Sequence, residues 1–176
     1  MKRIALLFIP AVLCICGQAI FCADEQAVEK SKLRVGTFDS RLVTIAYVRS
    51  SVFEKRMKEL QEELKKAEAA GDSKRVKALN AQGLAMQDTI HKQGFSTWPI
   101  DNILETIKTE IPEIAKKAQV DAIVSKWDVV YQRPGVEFVD VTDLMVEKFH
   151  PDKATRKVMA DIKEKPPVPL EKLESH

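Results

Sequence analysis

From Phe53 onward the apolar positions advance by four, three, four and three residues, through Met57, Leu60 and Leu64 to Ala67. That spacing is the 3.5-residue period of a coiled-coil seam. Gly71-Asp72-Ser73 interrupts it. Glycine suits the left-handed residue after a helix, and Ser73 suits a new N-cap. A second stripe follows at Val76, Leu79, Gly83, Met86 and Ile90. Folding the chain back at Gly71-Asp72 brings the two stripes into register. Ala67 then meets Val76, Leu64 meets Leu79, Leu60 meets Gly83, Met57 meets Met86, and Phe53 meets Ile90. The pattern predicts an antiparallel helical hairpin, with a hole or a close approach where Leu60 faces Gly83. The seam ends one layer further on, where Arg49 would meet Gly94. The stretch from Gly94 to Pro99 is a break, because proline is accommodated only in the first turn of a helix. A third helix is predicted up to Gln119, with Ile100, Leu104, Ile107, Ile111, Ile114 and Ala118 on one stripe and a kink at Pro112.

The flanks have a different character. Residues 33–38 read as a short strand, and Asp39 or Ser40 is placed to cap the helical pattern that carries Leu42 and Ala46. After Gln119, residues 121–125, 129–132 and 136–139 read as three short strands separated by turns at 126–128 and 133–135. Thr142 is a candidate cap for a short helix to Phe149, and a further helical stretch follows Pro151. The segment from Lys165 holds Pro166, Pro167 and Pro169 and is expected to be extended. The expected fold class is α+β: a small antiparallel β body with a long α-helical hairpin, a coiled-coil arm, inserted between the first and second strands. In domain terms, residues 33–164 form one unit. Its β body takes residues 33–38 and 120–149, and its arm takes 40–119.

The N-terminal end is read as a leader. Lys2 and Arg3 precede an apolar run from Ile4 to Ile15, too short to span a bilayer, which takes about 20 residues. Gly17 and Ala19 fit a small-x-small cleavage site, and cutting after Ala23 is the alternative. Residues 1–23 are thus expected to be a signal peptide, with 24–32 a loose leader and 165–176 a Pro-rich flexible tail. Cys14, Cys16 and Cys22 all lie in this leader, and none follows a small residue as a lipoprotein anchor requires. The remaining chain has no cysteine for a disulfide, a thiolate metal site or a nucleophile. The protein is therefore expected to be exported, with no integral membrane span after cleavage. The 28 basic residues fall to 26 without Lys2 and Arg3, against 26 acidic ones. That balance argues against nucleic acid as a partner.

The run VDAIVSKWDVVYQRPGVEFVDVTDLMVEKF, residues 120–149, resembles the C-terminal segment of the OmpH family of periplasmic chaperones. The features that match are an apolar strand, a Val-Val-Tyr strand, a Pro-Gly turn, and Asp140-Val141-Thr142-Asp143 opening a helix. LRVGTFDSRLV near the start resembles that family's first strand and helix start. The resemblance implies a homotrimer whose subunits share strands, through Val35, Phe38, Ile123, Val130, Tyr131 and Val139. It further implies an ATP-independent holdase that shelters unfolded outer-membrane proteins between its arms. The alternative is a non-catalytic envelope adaptor without a client cavity. Off-seam apolar residues, Val52, Leu84, Phe95 and Trp98, are the candidate client contacts. Packing at the base of the arm is the competing role for Phe95 and Trp98.

No constellation for catalysis stands out. His91, His150 and His176 are not spaced to share a metal, and there is no G-x-x-x-x-G-K-[ST] loop for phosphates. Glu62-Glu63 belong to a charged helix face, and Asp140 and Asp143 to a cap. His150-Pro151-Asp152-Lys153 spells the signature of J-domain co-chaperones, but no long basic helix precedes it. It reads as a helix end followed by a new start. The protein is expected to be no enzyme and to use no cofactor or metal.

Overall fold

The computed structural model describes residues 32–173; the expected signal peptide lies outside them. The first strand, β1 (Arg34–Phe38), leads directly into α1 (Ser40–Val48). Asp39 caps this helix by accepting a hydrogen bond from the Arg41 amide at 3.0 Å. Then come α2 (Ser51–Ala69), α3 (Ser73–Phe95), α4 (Asp101–Leu104) with a 3₁₀ turn at Glu105–Ile107, and α5 (Ile111–Ala118). The strands β2 (Ala122–Ser125) and β3 (Glu137–Asp140) follow. The chain continues through α6 (Thr142–Val146), a 3₁₀ turn at Glu147–Phe149, α7 (Lys153–Lys163) and α8 (Leu170–Leu173).

The β body is not antiparallel. β1 lies in the middle of a three-stranded sheet of order β2-β1-β3, and both neighbours run parallel to it. Val35 faces Ala122 on one side and Phe138 on the other. Two features explain the difference from the expected meander. A strand that returns after a helical excursion comes back parallel, and β2 returns after five helices. The expected middle strand at 129–132 does not form. The segment 126–136 instead carries the chain from one edge of β1 to the other, leaving Val130 97% and Tyr131 77% exposed. At the centre of the sheet, a Cβ on Gly36 would sit 3.1 Å from Ile123 Cγ1 and 3.2 Å from Val120 and Val141. This glycine therefore admits the close approach of three neighbours.

The insertion between β1 and β2 is likewise not one long hairpin. The chain is mostly helical, and its core centres on α1, seven of whose nine residues are buried. Leu42, Val43, Ala46 and Tyr47 pack there with Ile103, Ile107, Val141, Met145 and Phe149. Arg49 ends α1, and Ser50 caps α2 through its hydroxyl, a break that the heptad pattern passes over. α2 and α3 lie against each other across the turn at Gly71, where φ is +68°. Asp72 caps α3, not Ser73, accepting from the Arg75 amide at 2.9 Å. Leu60 Cδ2 lies 4.0 Å from where a Gly83 Cβ would be. A surface cavity of about 460 Å³ runs past Leu60, Gly83 and Leu64. Beyond that pairing, α3 continues onto α1, where Gly94 rests on Thr44 and Ile45.

The third helix is broken as well. Residues 101–107 form α4 and a 3₁₀ turn. Pro112 sits in the first turn of α5, where its missing N–H costs no bond, so it starts a helix and does not kink one. Gln119 ends α5 in the left-handed region, with φ at 54°. Thr142 is the first residue of α6 and makes no side-chain cap; its hydroxyl accepts from the Asp39 amide at 2.9 Å and ties β3 to the head of α1. His150 is left-handed and ends the preceding turn, and Asp152 caps α7 through the Thr155 amide at 2.7 Å. The residues after 164 are not free of the body: the Lys165 carbonyl accepts from Arg41, and the Val168 amide donates to the Phe95 carbonyl.

Candidate functional site

The carboxyl ends of β1 and β2 come together at a buried cluster of charge. Asp39, the residue after β1, is 2% exposed, as is Arg41 two residues on. Two residues apart at the head of a helix, these side chains meet directly. Arg41 donates from Nε to Asp39 Oδ1 at 3.1 Å and from Nη2 to Oδ2 at 2.8 Å. Lys126, the first residue after β2, reaches the same Oδ2 at 2.7 Å. Its amide donates to the Phe38 carbonyl, continuing the ladder that places it. The Trp127 ring lies against both cations, its centroid 4.9 Å from Arg41 Cζ and 4.3 Å from Lys126 Nζ.

One carboxylate thus holds two cations. Burial alone would push the Asp39 carboxyl up, but hydrogen bonds and charge from Arg41 and Lys126 outweigh it and hold the group below its ordinary value. Every charge in the cluster is engaged, and Arg41 spends its remaining reach on the Lys165 carbonyl at 2.8 Å. The cluster ties β1, β2, α1 and the residues after α7 to one another. The sequence reading missed it. Asp39 and Arg41 are recognisable as a local pair at a strand-to-helix junction, whereas Lys126 lies 87 positions away and is brought in only by the parallel register.

The residues expected to carry function fall into three groups. Of the seam positions, Leu79 is buried, while Phe53, Met57, Leu60, Leu64, Val76, Met86 and Ile90 are partly covered. Of the strand positions expected to be shared between subunits, Val35, Phe38, Ile123 and Val139 belong to the three-stranded sheet formed within the chain. Val130 and Tyr131 belong to no strand. The four candidate client contacts are all exposed, Leu84 most, at 69%. They do not form one patch: Val52 starts α2, Leu84 is midway along α3, and Phe95 and Trp98 flank the end of α3. Lys92 sits 5.3 Å from the Trp98 ring centroid, and His91 packs edge-on to Phe95. These two aromatics belong to the base of the helix pair. Among the described residues, the adjacent Val130 and Tyr131 are the most exposed large apolar side chains.

Among the described residues, no group of three or more His, Cys, Asp or Glu side chains could hold a metal, and no helix is long and apolar enough to cross a membrane. No protein-family model, curated protein or solved structure significantly matches this chain.

Proposed function

We propose that this is an exported, non-catalytic protein of the periplasm that works by binding another polypeptide. The observation that carries the reading is the segment 126–136. Beyond Lys126 it joins β2 to β3 without adding a strand and presents Val130 and Tyr131 to solvent. An adjacent aliphatic and aromatic pair is a suitable anchor for a protein partner, because aromatic side chains bring large contact area at low entropic cost. The leader and the OmpH resemblance support export.

Between the two forms of this reading, the structure favours the adaptor over the trimeric holdase. β1 already has a neighbour on each side within its own chain, so no strand from another subunit is needed to complete it. The holdase reading keeps one support, the separate exposed side chains of Val52 and Leu84. Such residues are common on any surface.

The experiment is a paired assay on the purified protein. An adaptor captures one folded envelope partner, loses it on Tyr131→Ala, and leaves the aggregation of denatured outer-membrane proteins unchanged. Suppression of that aggregation at stoichiometric amounts, without ATP and with Tyr131→Ala as effective as the parent, would replace the adaptor with the holdase.

A further inference from the structure

A cavity of about 360 Å³ opens at the carboxyl ends of β1 and β2, against the segment that leads into α4. In parallel sheets this edge is where ligands settle, and the volume is that of a small-molecule site. Its walls include Phe38, Ile100 and Ile123. Two features mark it as more than a gap in packing. The Ser40 hydroxyl on its lining is 3% exposed and has no hydrogen-bond partner, a state that buried polar groups rarely keep without a ligand or water. Asp101 and Asp128 also line it, and neither is ion-paired with a described residue. No Lys, Arg or His lines it; Arg41 and Lys126, each next in sequence to a lining serine, are both held by Asp39, and Lys92 lies over the Trp98 ring.

We infer that this cavity binds a small organic cation, an amine on an apolar body. The body would lie against Phe38, Ile100 and Ile123. The ammonium would face Asp101 and Asp128, with the Ser40 oxygen accepting one of its N–H bonds. Charge-assisted bonds of this kind are about twice as strong as neutral ones. This site does not depend on the protein-binding reading, although Asp128 stands three residues before Tyr131 in the same segment.

The test is a titration of the protein with phenethylamine, phenethyl alcohol and phenylacetate, followed by amide chemical shifts. Phenethylamine is expected to give saturable shifts centred on Ser40, Asp101 and Asp128, with the alcohol weaker and phenylacetate inert. Asp128→Asn and Asp101→Asn change exposed side chains and should leave the circular dichroism unaltered. Each should weaken phenethylamine about fivefold, as loss of one charge-assisted contact does. Ser40→Ala should weaken it less. The inference is overturned if phenethylamine gives no saturable shifts, if phenylacetate or the alcohol binds as tightly, or if both Asn variants bind the amine like the parent.

Discussion

The α2–α3 pair and the α1 region are both helical, yet they are built in opposite ways. α2 has one buried residue in 19, Ala67, and α3 has three in 23. α1 buries seven of nine, including Ser40, Arg41 and Thr44. The long pair is held by one thin seam between two helices with their outer faces in solvent. α1 is surrounded by α3, α6 and α7 and contributes to every part of the core. A helix with one partner leaves a periodic stripe in its sequence. A helix with partners on all sides leaves none, because almost any position is inward. The most regular part of this sequence is thus the part that contributes least to burial.

That contrast can be broken at its strongest point first. Asp39→Asn leaves the buried Arg41, with the partly exposed Lys126 beside it, against a neutral partner and should cost about 3 kcal/mol in urea unfolding. The same residue sets a pH dependence. Its folded-state pKa lies below the ordinary 3.8, so its contribution is complete above about pH 4 and is lost as pH falls through the folded value. Acid titration of stability should therefore show a steeper loss below pH 4 in the parent than in Asp39→Asn. Equal slopes would mean that the cluster carries no linkage.

Leu79→Ala removes the one deeply buried leucine of the seam and should cost about 2 kcal/mol. A protein that loses α2–α3 helicity while keeping the protection of β1 amides would sharpen the comparison, since it would show the pair melting separately. Gly36→Ala presses a methyl on Ile123, Val120 and Val141 and should cost about 1–2 kcal/mol, with the loss confined to the sheet. The smallest effect tests the seam register. Leu64→Ala and Leu79→Ala together should deviate from additivity by about 0.5 kcal/mol; strict additivity would place these residues in different layers.

How much was legible in the sequence follows from the same contrast. The turn at Gly71 and the stripes beside it were readable because both depend on neighbours three and four residues away. The start of β1, the cap at Asp39 and the change of character after Gln119 were readable for the same local reason. Strand direction was not. Val129-Val130-Tyr131-Gln132 has the composition of a strand, and the short turns around it suggest a meander. Only the competition for the two edges of β1, whose partners lie more than 80 residues away, decides that this segment stays unpaired. The Asp39–Arg41–Lys126 cluster was invisible for the same reason: it exists only once β2 lies parallel beside β1. Ser50 was a local signal passed over, since a serine after Arg49 is an ordinary cap and the heptad count runs on through it.

The most direct test of the parallel sheet within one chain is a cysteine pair. The chain after Cys22 has no cysteine, and Thr37 and Val124 face each other between β1 and β2. Thr37→Cys with Val124→Cys should oxidise to a disulfide inside a single chain, seen as a faster-moving monomer on a non-reducing gel, with each single variant unchanged. Covalent dimers or trimers from the double variant in place of that monomer would show that the strands pair between subunits, and would contradict the account.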